Sequence, residues 1–353
     1  MSLEKLRKQI DALDKRIISL LGERAAITVS VAHQKIKTGK SIYAPERERQ
    51  VLDKIKILNK GPLTNEGLEA IYREIMSSSL ALEKPLRIAF MGPEASFSNL
   101  AALKRFGSQV QYAACESISD VFLEVERDAC DYGVVPVENS IEGAVSYTLD
   151  MFMDSDLKIC SQIILNVSHN LLAKCPKENI KRVYSNPNVL GQCRLWLQHN
   201  LPGVELIEVS STTKAAQFAS REKGSASISS VLAARKYDLH IIDRDIEDSP
   251  HNITRFFVIG KDIAGRTGND KTSIMFSVKD KIGALHDILL PFKKYAINLS
   301  KIESRPSKKK AWEYYFYVDL IGHCQDGKVK KAIALLENKC RFMKVLGSYP
   351  LGE

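Results

Sequence analysis

Apolar residues recur at a spacing of three to four along the start of the chain, at Leu3, Leu6, Ile10, Leu13, Ile17, Leu20, Ile27 and Val31. This is the seam of a coiled-coil-like helix. Apart from Gly22, no glycine or proline interrupts it before Gly39, so one helix of about 35 residues, roughly 50 Å long, is predicted. A helix of that length cannot bury its stripe within a short segment, which calls for a partner chain. Pro45 opens a second helix from Glu46 to about Asn59. Thr64 caps a third, with Leu68, Ile71, Ile75 and Leu82 on one face.

From Leu86 the pattern becomes α/β. Arg87–Met91, Tyr132–Val137 and Lys158–Asn166 read as buried strands. Arg182–Tyr184, Glu205–Val209 and Arg255–Ile259 continue the alternation, with helices between. An open sheet in two lobes with a cleft is expected. A polar linker runs from Gly265 to Lys271. Beyond it come a strand (Thr272–Val278), a helix (Ala284–Tyr295), two strands (Asn298–Glu303, Trp312–Ile321), a helix (Lys328–Lys339) and a strand (Phe342–Leu346). That βαββαβ order is ferredoxin-like and too small for a deep catalytic cleft. The reading is therefore a multi-domain chain: an all-α domain (1–84), an α/β domain (86–264) and an α+β module (271–350).

Composition narrows the class. The 353 residues are 44% hydrophobic and 26% charged, as in globular proteins with several cores. No apolar run approaches the ~20 residues of a membrane span, and no apolar signal-peptide core opens the chain, so a cytoplasmic protein is expected. The seven cysteines (Cys115, Cys130, Cys160, Cys175, Cys193, Cys324, Cys340) are scattered and form no C-x-x-C pair. Neither a disulfide framework nor a zinc site follows, and the seven histidines show no ligand spacing. The net charge of +9 is dispersed, apart from a Lys308-Lys309-Lys310 run that reads as a hairpin loop. Small anionic substrates fit this charge, and neither nucleic acid nor membrane is called for.

Candidate chemistry begins in the long helix. Arg24 takes a seam position where an apolar residue belongs, and Lys35 follows on nearly the same face. Cations turned toward a core need an anion between them. Arg7 lies ~25 Å along the helix from Arg24, so the two meet only if a second copy runs antiparallel. The set Leu6-Arg7, Asp11-x-x-Asp14, Glu23-Arg24, Lys35, Arg47-Glu48-Arg49, Ser79 and Glu83 resembles the all-helical chorismate mutases. That resemblance implies that the partner's Arg7 with Arg24, Arg47 and Ser79 holds the two carboxylates of chorismate. It places Lys35 and Glu83 at the ether oxygen and Glu48 at the ring hydroxyl. A carboxylate at an oxygen gaining negative charge repels it, so mutase activity is expected to fall as rising pH strips the proton from Glu83.

In the α/β segment, Gly92-Pro93-Glu94-Ala95-Ser96-Phe97-Ser98 joins a strand to a helix start that favours an anion. It is not a dinucleotide fingerprint. Pro136-Val137-Glu138-Asn139-Ser140, Ser210-Ser211-Thr212-Thr213 and Asn252-Ile253-Thr254-Arg255-Phe256 place further polar residues at strand ends, where α/β folds hold ligands. Residues 86–262 resemble the prephenate dehydratases, most specifically in Thr-Arg-Phe preceded by Asn. The resemblance implies a two-lobed, periplasmic-binding-protein-like domain that needs no metal or organic cofactor. Thr254 would be the catalytic hydroxyl. Glu138, Asn139 and Gln192 would bind or orient prephenate, Ser98 and Thr213 would contact its carboxylates, and Arg255 joins the substrate set.

Residues 272–350 resemble amino-acid-binding ACT domains. The resemblance points to Gly283-Ala284-Leu285 and Glu303-Ser304-Arg305 as a phenylalanine feedback site, although His286 departs from the usual apolar residue. Edge-to-edge pairing of such modules gives a second reason to expect a homodimer or homotetramer. The three resemblances together imply a bifunctional enzyme of phenylalanine biosynthesis. A non-catalytic amino-acid sensor is the rival, and Thr254 with the Arg7, Arg24 and Lys35 set argues against it.

Overall fold

The computed structural model describes residues 2–38, 41–278, 281–307 and 313–351. The Lys308-Lys309-Lys310 run and the expected strand start at Trp312 lie outside these. The chain falls into two compact units, residues up to 87 with 106–111, and residues 88–105 with those from 112 onward.

The first unit contains α1 (Leu3–Lys37), α2 (Pro45–Leu58) and α3 (Asn65–Glu83). Ser2 caps α1 by accepting the Lys5 N–H, and Thr64 caps α3 by accepting that of Gly67. Both caps satisfy amides that have no partner within the helix. α1 and α2 pack on α3. Along α1 only Ala32 is buried, while Leu6, Ile10, Leu13, Ile17, Leu20 and Ile27 are exposed. The stripe that makes α1 a helix thus has no cover among the described residues. Segment 106–111 completes the unit, with Ser108 and Gln109 donating backbone N–H groups to Glu74 and Ser77 at 3.2 and 3.0 Å. Gly107, just before them, has φ +72°, and a Cβ there would lie 2.5 Å from the Ser77 Cβ. Only glycine meets both demands.

The second unit runs β1 (Arg87–Met91), α4 (Phe97–Phe106), β2 (Gln111–Cys115), α5 (Ile118–Glu126), β3 (Tyr132–Asn139), β4 (Gly143–Ala144), α6 (Ser146–Met151) and β5 (Lys158–Asn166). It continues with β6 (Asn170–Ala173), β7 (Arg182–Ser185), α7 (Pro187–Gln192), α8 (Arg194–Asn200), β8 (Glu205–Glu208), α9 (Thr212–Arg221), β9 (Ser225–Ser229), α10 (Val231–Tyr237), β10 (His240–Asp243) and β11 (Ile253–Gly260). Two mixed sheets result, one ordered β2-β1-β3-β11-β5 with β4 on β3, the other β10-β6-β9-β7-β8. The chain crosses to the second sheet after β5 and returns only at β11, which sits between β3 and β5 and runs antiparallel to both.

The last part contains β12 (Asp270–Ser277), α11 (Ala284–Lys294), β13 (Leu299–Pro306), β14 (Tyr314–Ile321), α12 (Gly327–Glu337) and β15 (Phe342–Pro350). The antiparallel sheet is ordered β13-β14-β12-β15, the ferredoxin-like arrangement expected. The predicted polar linker is in part a folded turn. Buried Asp270 accepts the Thr267 and Gly268 N–H groups and the Thr267 hydroxyl, then starts β12. This third sheet packs on the first. Strand β15 lies against β5, and Met275, Tyr317, Leu346 and Tyr349 share one apolar core with Val135, Val137, Leu149 and Phe257.

Candidate active sites

In the helical unit, Arg24, Lys35, Ser79 and Glu83 converge where α1 meets the end of α3. Arg24 donates to the Ser79 hydroxyl at 2.5 Å. The Lys35 ammonium reaches the Glu83 carboxylate at 3.0 Å and the Ile42 carbonyl at 2.7 Å. Residues 24 and 35 share a face of α1 because eleven residues make just over three turns, and 79 and 83 are about one turn apart on α3. Glu83 is 8% exposed and Lys35 23%, so this pair sits largely out of water, where its attraction is strengthened. Arg47 and Glu48 open α2. Arg47 is exposed and contacts Gln50 at 3.3 Å, while Glu48 is half-buried. Arg7 is exposed near the far end of α1.

In the second unit the register of β3 on β11 brings two pairs of predicted residues face to face. Thr254 pairs with Asn139, and Arg255 with Glu138. On the first rung, Asn139 Nδ2 donates to the Thr254 hydroxyl oxygen and to Asn252 Oδ1, each at 2.8 Å. The Asn139 carbonyl oxygen accepts the N–H groups of Ile141 and Glu142, which fixes which end of the amide faces Thr254. With its oxygen already accepting, the Thr254 hydroxyl keeps its proton free to donate elsewhere. Asn252 passes the chain on to Gln192 Oε1 at 2.9 Å, and Gln192 Nε2 donates to Glu142 at 3.1 Å.

His169, in the connection from β5 to β6, also meets Gln192 Oε1, at 2.8 Å from its Nε2. It is 2% exposed, and burial holds its pKa below the usual imidazole value. A neutral ring facing an oxygen acceptor carries its proton on Nε2, which leaves Nδ1 as an acceptor with no partner among the described residues. The Phe97 ring stands edge-on against it. Two more buried hydroxyls, Thr213 Oγ1 and Ser227 Oγ, likewise have no partner among the described residues. Thr213 lies in the first turn of α9, which is capped by Ser211. Ser98 is buried in the first turn of α4. Such polar atoms are costly to bury unless a ligand or water completes them.

Three family models match the chain in order: Chorismate mutase type II over residues 6–84, Prephenate dehydratase over 88–264 and ACT domain over 272–337. A protein of Aquifex aeolicus named bifunctional chorismate mutase/prephenate dehydratase is 50% identical over 99% of this chain and 98% of its own length. One of Pseudomonas aeruginosa with the same name is 45% identical over 99% and 97%. The chain belongs to the bifunctional chorismate mutase/prephenate dehydratase family. Among solved structures, prephenate dehydratase of Arthrobacter aurescens in complex with L-Phe superposes with a TM-score of 0.70 at 31% identity, covering 75% of this chain and 90% of that one. The prephenate dehydratase of Staphylococcus aureus gives 0.66 at 29% identity, covering 75% and 100%.

Within this bifunctional enzyme, Arg255 and Glu138 lie among other neighbours than Thr254 does. The Arg255 guanidinium is buried against Gln162, Asp319 and Tyr349, and Glu138 faces Lys301 at 3.1 Å. The expected substrate set thus divides, Asn139, Gln192 and Thr254 on one network and Glu138 and Arg255 on another. In the ACT module, Gly283 (φ 78°) caps α11, Ala284 is buried and Leu285 exposed. Strand alternation on β13 turns Glu303 and Arg305 to one face, where they meet Lys301 at 3.2 Å and Asp150 at 3.5 Å. Ser304 points to the other face and is exposed. The residues that sequence reasoning missed are His169, Glu142, Gln162, Asp319 and Tyr349. None carries a motif, and all are recruited by tertiary pairing. Among the described residues no helix is long and apolar enough to cross a membrane.

Proposed function

We propose that the helical unit rearranges chorismate to prephenate, and that the α/β domain converts prephenate to phenylpyruvate, CO₂ and water. In the first step no bond to the protein forms. Arg24, Arg47, Ser79 and the Arg7 of a second copy hold the substrate carboxylates in a compact pose, since guanidinium pairs with carboxylate bidentately. Lys35 and Glu83 face the ether oxygen as its bond breaks, the Lys35 ammonium donating to it, and Glu48 takes the ring hydroxyl. Catalysis here is positioning plus stabilisation of developing charge.

In the second step, the electrons of the breaking C–CO₂ bond flow into the ring as the ring C–OH bond breaks. The departing hydroxyl leaves as water with a proton supplied ultimately from solvent. The observation that carries this reading is the Asn139–Thr254 rung. A hydroxyl whose oxygen already accepts one hydrogen bond donates its proton to the leaving oxygen in a fixed direction. Gln192 and His169 hold Asn252 and the rung in line, and the Thr213 hydroxyl, without a partner among the described residues, suits a substrate carboxylate, with Ser98 a further contact.

The exposed stripe of α1 and the position of Arg7 support a homodimer, or a homotetramer if the ACT modules pair as well. Phenylalanine binding at Gly283-Ala284-Leu285 and Glu303-Ser304-Arg305 would provide feedback by favouring an inhibited state. The test is phenylpyruvate formation from chorismate by purified protein, with and without phenylalanine. Thr254→Ala is expected to lower dehydratase kcat by about 10²–10⁴-fold and to leave mutase activity intact, while Thr254→Ser retains much of it. Thr254→Ala at wild-type rate would overturn the role given to this hydroxyl. Product unaffected by phenylalanine would leave both activities and remove the feedback role.

A further inference from the structure

The rung next to Thr254 and Asn139 has no place in the chemistry above, yet its Arg255 is buried and hydrogen-bonded throughout. All three nitrogen positions of Arg255 are committed. Nε donates to Gln162 Oε1 at 3.0 Å, Nη1 to Asp319 Oδ2 at 2.6 Å, and Nη2 to the Tyr349 hydroxyl at 2.9 Å. Ser273 closes the circuit, its hydroxyl donating to Asp319 Oδ1 at 2.5 Å and meeting the Tyr349 oxygen at 2.6 Å. Donors and acceptors run consistently around this ring: Arg255 to Tyr349, Tyr349 to Ser273, Ser273 to Asp319, with Arg255 also donating to Asp319. Each member is at least nine-tenths buried. Glu138, across the rung, lies 3.7 Å from Arg255 and 3.1 Å from Lys301.

Asp319, Tyr349, Ser273 and Lys301 all belong to the C-terminal sheet, whereas Arg255 and Glu138 are covalent neighbours of Thr254 and Asn139. On the β3 side of β11 the register slips just after these two rungs, with Arg255 opposite Glu138 but Phe256 opposite Pro136, while the ladder to β5 runs on unbroken through Thr254, Arg255 and Phe256. A bulge disrupts the ladder and re-aims the side chains beside it. The Asn139–Thr254 rung therefore lies beyond the bulge on its β3 side, where the aim of Asn139 and Glu138 depends on what packs against them. Opposite Ser273 on β15 stands Gly347, where a Cβ would lie 2.1 Å from the Ile159 carbonyl oxygen on β5. That close approach holds the two sheets near enough for Arg255 to span them.

The geometry points to Arg255 and Glu138 as positioning residues for the dehydratase hydroxyl, with the C-terminal module holding them in place. This rests on the assignment of Thr254 as the catalytic hydroxyl. The dehydratase site is then incomplete without Asp319 and Tyr349, although neither touches substrate.

The experiment uses the full-length protein with Asp319→Asn, the milder Tyr349→Phe, and Leu346→Ala, which thins the apolar part of the same interface. Dehydratase kcat and KM for prephenate, mutase rate and melting temperature are measured on each. For Asp319→Asn a ten- to hundredfold fall in dehydratase kcat with KM within threefold is expected. Tyr349→Phe should fall three- to tenfold. Leu346→Ala should lose melting temperature while keeping kcat within twofold, and mutase rates should be unchanged throughout. If Asp319→Asn and Tyr349→Phe melt earlier but turn over like wild type, the ring is structural glue and the proposal falls. A kcat loss in Leu346→Ala equal to theirs would overturn it as well. Wild-type turnover by Thr254→Ala, measured alongside, would instead remove the assignment on which it rests.

Discussion

His169 enters the dehydratase network as a neutral imidazole, and that state has a pH signature. Burial depresses its pKa below the ordinary 6.5, against the smaller opposing effects of the Gln192 hydrogen bond and of Glu247 and Glu142 nearby. As pH falls through 6.5, the unfolded chain binds a proton that folded His169 refuses. The unfolded state gains, and stability drops by at most about 1.4 kcal/mol per pH unit for one such group. Urea unfolding of wild type and His169→Gln over roughly pH 5 to 8 is expected to show wild type losing stability relative to the variant on the acid side. Parallel slopes would mean that folded His169 takes up its proton as readily as the unfolded chain does. Nothing in the local sequence marks this residue, since a lone histidine between two strands has no spacing to recognise. Arg24 and Lys35 were legible for the opposite reason, as cations that violate a helical seam. Their partners Ser79 and Glu83 were legible through resemblance, and the structure places them within hydrogen-bonding distance.

Among elements, the long helix and the βαββαβ order could be read from periodicity because each buries one face. Strand β9, Ser-Ala-Ser-Ile-Ser, could not. It is buried on both faces although three of its five side chains are serines, and Ser225 and Ser229 satisfy their hydroxyls on the carbonyls of Glu222 and Thr212. The partners of Arg255, expected among the substrate contacts, were hidden for a related reason. Alternation along β11 puts it on the opposite face from Thr254, but which partner covers that face is set by a sheet some sixty residues further on. The close crossing of β15 over β5 is equally invisible in one dimension and gives a sharp prediction. Gly347→Ala forces backbone apart, because the Ile159 carbonyl carbon and nitrogen both lie 2.8 Å from the new Cβ. Overpacking of this kind costs about 1–3 kcal/mol, read as a lower urea midpoint. An unchanged midpoint would show that the two sheets are not pressed together at this point.

At the scale of the whole molecule, the question is what covers α1. Ile10, Leu13, Ile17 and Leu20 are each more than half exposed, and apolar area of that extent is worth about 25 cal/mol per Å² when removed from water. A second copy laid antiparallel would bury the stripe and carry Arg7 toward the pocket holding Arg24, since the two are separated by roughly 25 Å along one helix. Shared pockets of this kind make a distinctive prediction about mixtures. Arg7→Ala and Arg24→Ala proteins should each lose most mutase activity as homodimers, while their dehydratase rates remain. In a mixed dimer, both defects fall in one pocket, because Arg7 of one copy serves the Arg24 pocket of the other, and the remaining pocket is intact. Unfolding and refolding the two variants together should therefore restore mutase activity to about a quarter of wild type, half of the dimers being mixed with one working pocket each. Sites confined to single chains would gain nothing on mixing, and that result would return Arg7 to an ordinary surface position.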